Sequence, residues 1–347
     1  MENVVSTQVI IVGAGPTGLE LALALKRAGI DHLIFDAGQI GHTISWWPRN
    51  TRFYSTPERI AIPGIPLQIY DQQHPTGEQY LAYLRGVVEA NGLRINSFEP
   101  VTRLFRMDEG FLVITETMAG LKRYTANQLV LATGGMASPR LLDIPGEDFP
   151  HVSHYLDDPH FYFQKRLLVV GGRNSAIEYA LRCWRAGAQV TLSYRKAELP
   201  KASIKPALMQ DIETAVGDGK ICFLPGTVPI EITPTEVILA KTDAEGKPES
   251  GEHTSLLFDF VLICSGYVAD MGLFSQLEVT LLGEEQVPVF DDETMQTDVP
   301  GVFVLGTAAG GTQKKYRLFI ETSHVQVEKI TAVLLAKYNC GKSVPGE

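Results

Sequence analysis

Gly13-Ala14-Gly15-Pro16-Thr17-Gly18 and Gly171-Gly172-Arg173-Asn174-Ser175-Ala176 are the residues of this 347-residue chain best suited to hold phosphate. Each loop follows an apolar run, residues 9–12 in one case and 167–170 in the other, and each opens a helical stretch. Glycine permits the tight turn and carries no Cβ to block a pyrophosphate, while a helix start supplies free N–H groups and partial positive charge. The next strands end differently. Residues 33–35 lead to Asp36, a carboxylate that accepts hydrogen bonds from ribose hydroxyls and repels a 2′-phosphate. Residues 190–193 lead to Tyr194-Arg195-Lys196, and a guanidinium binds a phosphate dianion bidentately. The first site therefore suits an adenosine without a 2′-phosphate. The second favours NADPH over NADH, with Lys196 and Lys205 as candidate helpers. Arg173 and Ala176 depart from the glycine pattern, so the arginine must turn outward or pair with phosphate. Two dinucleotides on one chain predict electron transfer between them.

The elements that position these loops repeat one plan. Each half runs strand, glycine loop, helix, strand, then short alternating strands, then a strand ending in small residues. In the first half the alternating strands are predicted near residues 104–105, 111–115 and 121–125, leading to Ala132-Thr133-Gly134. In the second they are predicted at 228–232, 237–240 and 255–258, leading to Ser265-Gly266. Apolar spacing predicts a helix over 78–91 and a C-terminal helix from about 319 to 337, preceded by a strand at 302–305 and the loop 306–312. The polar stretch 242–252 reads as a surface hairpin loop. The late strand and helix make the first domain discontinuous, giving residues 1–136 and 270–347 for one domain and 137–269 for the other. The fold class is α/β, with two Rossmann-like dinucleotide-binding domains, the second inserted into the first.

Composition narrows the function. A hydrophobic content of 45% and a charged content of 20% are globular values. The net charge of −10 argues against a nucleic-acid surface. No apolar run reaches the roughly 18 residues that span a bilayer, and the first eight residues carry no signal-peptide pattern. Cys183, Cys222, Cys264 and Cys340 are scattered, without a Cys-x-x-Cys pair, which predicts a reducing, cytoplasmic location. His151, His154 and His160 lie in loop-like sequence and are assigned no metal. His324 and Glu328 form either an acid–base pair or an ordinary i,i+4 surface pair. The segment from Ser45 through Trp46 and Trp47 either packs on a planar cofactor ring or covers a domain surface.

The chain resembles the thioredoxin reductase-like two-dinucleotide flavoproteins, and within them the bacillithiol disulfide reductase-like family. The resemblance rests on the first glycine loop, residues 131–134, the loop 171–176, Ser203-Ile204-Lys205-Pro206 and Phe319-Ile320-Glu321. It implies the three-layer ββα architecture, with FAD on the first domain and NADPH on the second. It places Ala132, Thr133 and Gly134 against FAD and Val101 near its adenine. Ser45, Trp47 and Ser55 approach the flavin, Gly306 and Thr307 its ribityl chain, and the backbone of Phe319, Ile320 and Glu321 its pyrimidine edge. Gly13, Gly15, Pro16, Thr17, Gly18 and Asp36 complete the FAD set. Gly171, Gly172, Arg173, Asn174, Ser175, Tyr194, Arg195, Lys196, Lys205, Ser265 and Gly266 form the NADPH set.

Three departures bear on activity. There is no redox-active Cys-x-x-Cys, Thr17 stands where the bacillithiol-linked family typically has cysteine, and Thr307 stands where the wider group usually has aspartate. Threonine cannot form a mixed disulfide, though its hydroxyl can still bond a ribityl chain. No catalytic residue is assigned; Thr17 and His324 are the candidates. The expected activity is hydride transfer from NADPH to FAD and on to a small-molecule or small redox-protein acceptor, with a low-molecular-weight thiol disulfide as the acceptor the resemblance points to. An FAD-dependent monooxygenase and a non-catalytic nucleotide-binding redox sensor are the alternatives. No nucleic-acid or membrane partner is expected, and a homodimer is expected by analogy.

Overall fold

Apolar runs buried on both faces build the first compact unit. Val9, Ile10 and Ile11 of strand β1 (Val5–Val12) are fully buried. So are Leu129, Val130 and Leu131 at the end of β6 (Gly120–Leu131). Continuous burial of this kind marks a parallel sheet covered on both sides. The structure is a computed structural model that describes residues 4–314 and 317–339. Within it the chain divides into two compact units. One comprises Met1–Trp46, Asn50–Ser138 and Tyr267–Glu347; the other comprises Trp47–Arg49 and Pro139–Gly266.

In the first unit β1 leads through the glycine loop into helix α1 (Pro16–Arg27) and on to β2 (His32–Phe35). Helix α2 (Gly77–Ala90) starts at a capping box, in which Thr76 and Gln79 each accept the other's backbone N–H. It precedes β3 (Ile95–Asn96), β4 (Val101–Arg106) and β5 (Phe111–Thr117). The sheet order is β3-β2-β1-β6-β5-β4. The strand Val302–Val304 adds to β6 in parallel through Leu129, Val130 and Leu131. The twelve-residue β6 thus joins the two parts of one mixed sheet: residues 120–126 pair antiparallel with β5 and residues 124–131 pair parallel with β1.

The second unit has three layers. Strands β7 (Arg166–Val170), β8 (Gln189–Tyr194), β9 (Cys222–Pro225) and β13 (Phe260–Ile263) form a parallel sheet with the short strand Val152–Ser153. Between β9 and β13 lie β10 (Thr227–Ile232), β11 (Glu236–Thr242) and β12 (Pro248–Leu257), which form an antiparallel sheet. Alternation along β7 sorts the core. Leu167 and Val169 pack with Ile177, Ala180 and Leu181 of helix α3 (Asn174–Arg185) and Ile212 of α4 (Pro206–Gly217). Leu168 and Val170 face Val237 and Leu239 of the antiparallel sheet. This is the period-two geometry of a strand.

The stretch 242–252, expected to be loop, is mostly strand: β12 begins at Pro248, and only the turn between Thr242 and Pro248 is irregular. Residues 248–251 all lie exposed, so they carry no alternation for a sequence to show. The C-terminal helix runs Ile320–Asn339. Cys340 lies outside the described residues. Among the described residues no helix is long and apolar enough to cross a membrane.

Candidate functional site

The first glycine loop is shaped by contacts that forbid side chains. A Cβ on Gly13 would lie 2.3 Å from the Ala132 carbonyl oxygen, and one on Gly18 would lie 2.0 Å from the Gly13 carbonyl oxygen. Gly13 also adopts φ +111 and donates its N–H to Phe35 at 2.7 Å. Gly15 is different: a Cβ there meets no protein atom within 4 Å. It caps α1 without any side-chain hydrogen bond, Pro16 occupies the helix start, and the first turn holds no acid. The open space therefore faces a helix N-terminus not neutralised by a carboxylate in its own first turn, which is what a bound pyrophosphate requires.

Asp36 fixes the turn through its side chain. Its two carboxylate oxygens accept the N–H groups of Ala14 at 2.7 Å and Gly38 at 2.8 Å. Each oxygen keeps a further lone pair for a sugar hydroxyl. At the end of β6 the Thr133 hydroxyl is buried with no hydrogen-bond partner, so it suits a polar group of a bound cofactor. Beside it, Gly134 and Gly135 pack against Thr307, and Gly306 packs against Thr17. The Gly306 N–H donates to Oε1 of Gln326 at 2.7 Å in a buried contact. Gly13, Thr17, Gly18, Thr133, Gly134, Gly306 and Thr307 thus meet at the carboxyl ends of three parallel strands. These residues fit FAD.

Other expected FAD contacts are placed less centrally. Val101 begins β4, opposite Thr115. The exposed Ser45 donates its hydroxyl to the His42 carbonyl, and Trp47 belongs to the other compact unit. Ser55 is half-buried. Phe319 is exposed, and its N–H is capped by the Thr322 hydroxyl at 2.9 Å just before Ile320 opens the C-terminal helix. The Glu321 carboxylate stands 3.2 Å from the Arg59 guanidinium.

The hydrogen bonds of His324 go to residues other than Glu328, whose nearby charge adds a smaller electrostatic contribution. The imidazole Nδ1 lies 2.7 Å from Oε2 of the buried Glu20 and its Nε2 lies 3.0 Å from the Arg59 carbonyl. The carbonyl can only accept, so Nε2 carries a proton. The hydrogen bond to Glu20 holds the imidazole pKa above its ordinary value against the opposing effect of burial. Glu20 was legible as an oddity, a lone acid within the apolar helix α1. Gln326 gave no comparable signal.

In the second unit, Gly171 (φ +143) packs against Cys264 and Ala176, and a Cβ on Gly172 would strike the Tyr194 ring at 2.4 Å. Arg173 caps α3 in extended conformation and is exposed. Asn174 braces a loop: its amide donates to the Ser203 carbonyl at 3.2 Å and accepts the Lys205 N–H at 2.8 Å. Ser175 is exposed on the first turn of α3, whose helical start carries no acid. Ser265 donates its hydroxyl to the Arg140 carbonyl, and Gly266 (φ +98) has open space at its Cβ position. Arg195 and Lys205 are exposed cations, while Lys196 donates its ammonium to the Ala244 carbonyl.

The thiols of Cys183 and Cys264 are poor nucleophiles. Burial pushes Cys183 up to about 12 and also raises Cys264, and both lie in the second unit with the exposed Cys222. Among the described residues the first unit contains no cysteine. His154, also in the second unit, sits 3.3 Å from Glu147, and burial lowers its pKa.

Residues 10–306 match the family described as pyridine nucleotide-disulphide oxidoreductase. The chain is 33% identical over 337 residues to "Bacilliredoxin reductase Bdr" of Bacillus subtilis, covering 96% of this chain and 99% of that protein. It is 29% identical over 307 residues to a "Ferredoxin--NADP reductase" of Ignicoccus hospitalis, covering 86% and 88% of the two chains. Among solved structures, the bacillithiol disulfide reductase Bdr from Bacillus cereus superimposes with a TM-score of 0.89 at 31% identity, covering 96% of this chain and 99% of that one.

Proposed function

The chain belongs to the pyridine nucleotide-disulphide oxidoreductase family, beside the bacillithiol disulfide reductases, and from that premise we propose that it passes reducing equivalents from NADPH, through FAD, to a low-molecular-weight thiol disulfide. Members of this family are flavoprotein oxidoreductases that use FAD and NAD(P)H. The observation that carries the reading is the occurrence of two glycine-shaped nucleotide clefts, one ended by Asp36 and the other by Arg195, in a chain similar to a bacilliredoxin reductase over 96% of its own length.

In this reading Gly13, Gly15 and Gly18 admit the FAD pyrophosphate to the start of α1, Asp36 takes the ribose, and Thr133 and Thr307 offer hydroxyls to the remainder. Gly171, Gly172 and the start of α3 receive the NADPH pyrophosphate, and Arg195 selects the 2′-phosphate. FAD, when bound, supplies the two-electron exchange; the protein supplies binding, orientation and electrostatics. His324 holds a proton at Nε2, and the hydrogen bond between Nδ1 and Glu20 keeps the ring charged beyond its usual pH range.

One observation favours a second acceptor class. The first unit presents no thiol among its described residues, so none of those residues offers a sulfur for a mixed disulfide, and an acceptor that takes electrons without exchange, such as a small redox protein, fits equally well. The similarity to a ferredoxin reductase supports that variant. The three described cysteines are free, which supports a reducing, cytoplasmic setting, and a homodimer is the assembly we infer by analogy.

Anaerobic stopped-flow mixing tests the reading. NADPH should bleach the flavin of the purified yellow protein. A low-molecular-weight disulfide should then restore the colour. Recolouring only by a redox protein moves the acceptor to the second class, and recolouring only by oxygen with insertion into a substrate indicates a monooxygenase. An unbleached flavin rejects hydride transfer.

A further inference from the structure

The segment that carries Arg195 leans on the hairpin turn that joins β11 to β12. Thr242 donates its hydroxyl to the Arg195 carbonyl at 2.9 Å. The Lys196 ammonium donates to the Ala244 carbonyl of the same turn, and the Lys196 carbonyl accepts the Gly226 N–H at 3.1 Å. Gly246 lies beneath the arginine stem. It is buried and adopts φ +82, and a Cβ there would lie 3.1 Å from Arg195 Cγ and 3.2 Å from Cδ. The turn is rigid in its own right: Asp243 accepts the Lys247 N–H on Oδ1 at 2.8 Å, and its backbone closes to Lys247 and Gly246 at 2.9 Å.

We propose that this turn, Thr242 to Lys247, is the specificity brace of the second nucleotide site, holding Arg195 where the 2′-phosphate of NADPH is recognised. The inference rests on Arg195 as the 2′-phosphate ligand. An exposed arginine has rotamer freedom to lose on binding. The clamp on its carbonyl fixes the backbone from which the side chain starts, and the support under its stem removes part of the side chain's freedom before the ligand arrives, which is preorganisation. The same arrangement gives Lys196 a bracing role: its ammonium ties the strand end to the turn. Thr242, Lys196 and Gly246 are positioning residues and need not touch the nucleotide.

Calorimetric binding of two fragments to the FAD-loaded protein separates the ideas. The probes are 2′,5′-ADP and 5′-AMP, which differ by the phosphate that Arg195 would hold. Thr242→Val removes one hydroxyl at constant shape, and Gly246→Ala adds one methyl beneath the arginine. Each should weaken 2′,5′-ADP by about threefold to tenfold, the scale of one lost hydrogen bond, with 5′-AMP unchanged. Loss of both fragments equally, or of neither, overturns the brace. Arg195→Met is measured alongside. If it abolishes the preference for 2′,5′-ADP while both turn variants leave it intact, the brace is wrong and the arginine assignment stands. If Arg195→Met leaves the preference intact, the arginine assignment falls and takes the brace with it.

Discussion

The Thr17 hydroxyl fills the space where a side chain on Gly306 would sit, 2.7 Å from the position of its Cβ. The contact joins the first turn of α1 to the turn after Val302–Val304, which are 289 positions apart in sequence. Gly306 also adopts φ +73, which an L side chain takes at a cost of about 1–2 kcal/mol. Gly306→Ala should therefore lower the melting temperature by several degrees and reduce bound flavin. Differential scanning fluorimetry and the visible spectrum of the purified protein check both. Adding Thr17→Ser to Gly306→Ala should recover little, because the backbone strain remains.

Gly15 makes a contrasting case. Its Cβ position is empty of protein, so Gly15→Ala should leave the fold of the flavin-free protein nearly unchanged, within about 1 kcal/mol for an N-cap exchange. The added methyl points into the space assigned to pyrophosphate. Flavin content after purification should fall sharply while the apoprotein's thermal stability does not. Equal loss in Gly15→Ala and in the buried variant Gly18→Ala would contradict that separation.

Arg195→Ala should raise the KM for NADPH by about tenfold or more and leave that for NADH nearly unchanged, the consequence of removing a charge-assisted contact to one phosphate. Steady-state kinetics with both nucleotides and a generic dye acceptor measures it. Equal effects on the two would remove the specificity assignment.

The Glu20–His324 pair predicts a pH dependence of stability. The imidazole pKa is raised in the folded protein, so folding takes up a proton. The resulting stabilisation is complete below the unfolded pKa of about 6.5 and fades as pH rises through the folded value above it. Urea unfolding of the native protein should show stability declining over that window. The double variant Glu20→Gln, His324→Gln should lack this component, and an unchanged slope would show that the pair does not couple to folding.

Much of the fold was legible because backbone contacts leave local traces. Gly13, Gly18 and Gly171 are glycines because the chain itself occupies the space beside them, and the apolar runs before them are buried on both faces. The helix 77–90 was recognisable from its apolar stripe and is fixed at one end by Thr76 and Gln79. Contacts between distant segments left no such trace. The spacing of His324 suggested Glu328, yet its partner is Glu20 on another helix. The strand at Pro248 was hidden because its side chains are exposed and show no alternation. Lys196 was a candidate helper of Arg195 from its place in sequence, and the bond from its ammonium to the Ala244 carbonyl is visible only in the fold.

Asp36 accepts two main-chain amides, from Ala14 and Gly38, in addition to any sugar it meets. Exchanging it for a basic residue would orphan both amides inside the turn, so evolution or an engineer cannot alter that cleft's nucleotide preference by one substitution. In the function proposed here, the preference of the other cleft hangs on an exposed side chain above a hairpin. Natural drift and deliberate redesign of cofactor choice should accordingly concentrate at Arg195 and its support, while the adenosine end of the first cleft stays frozen.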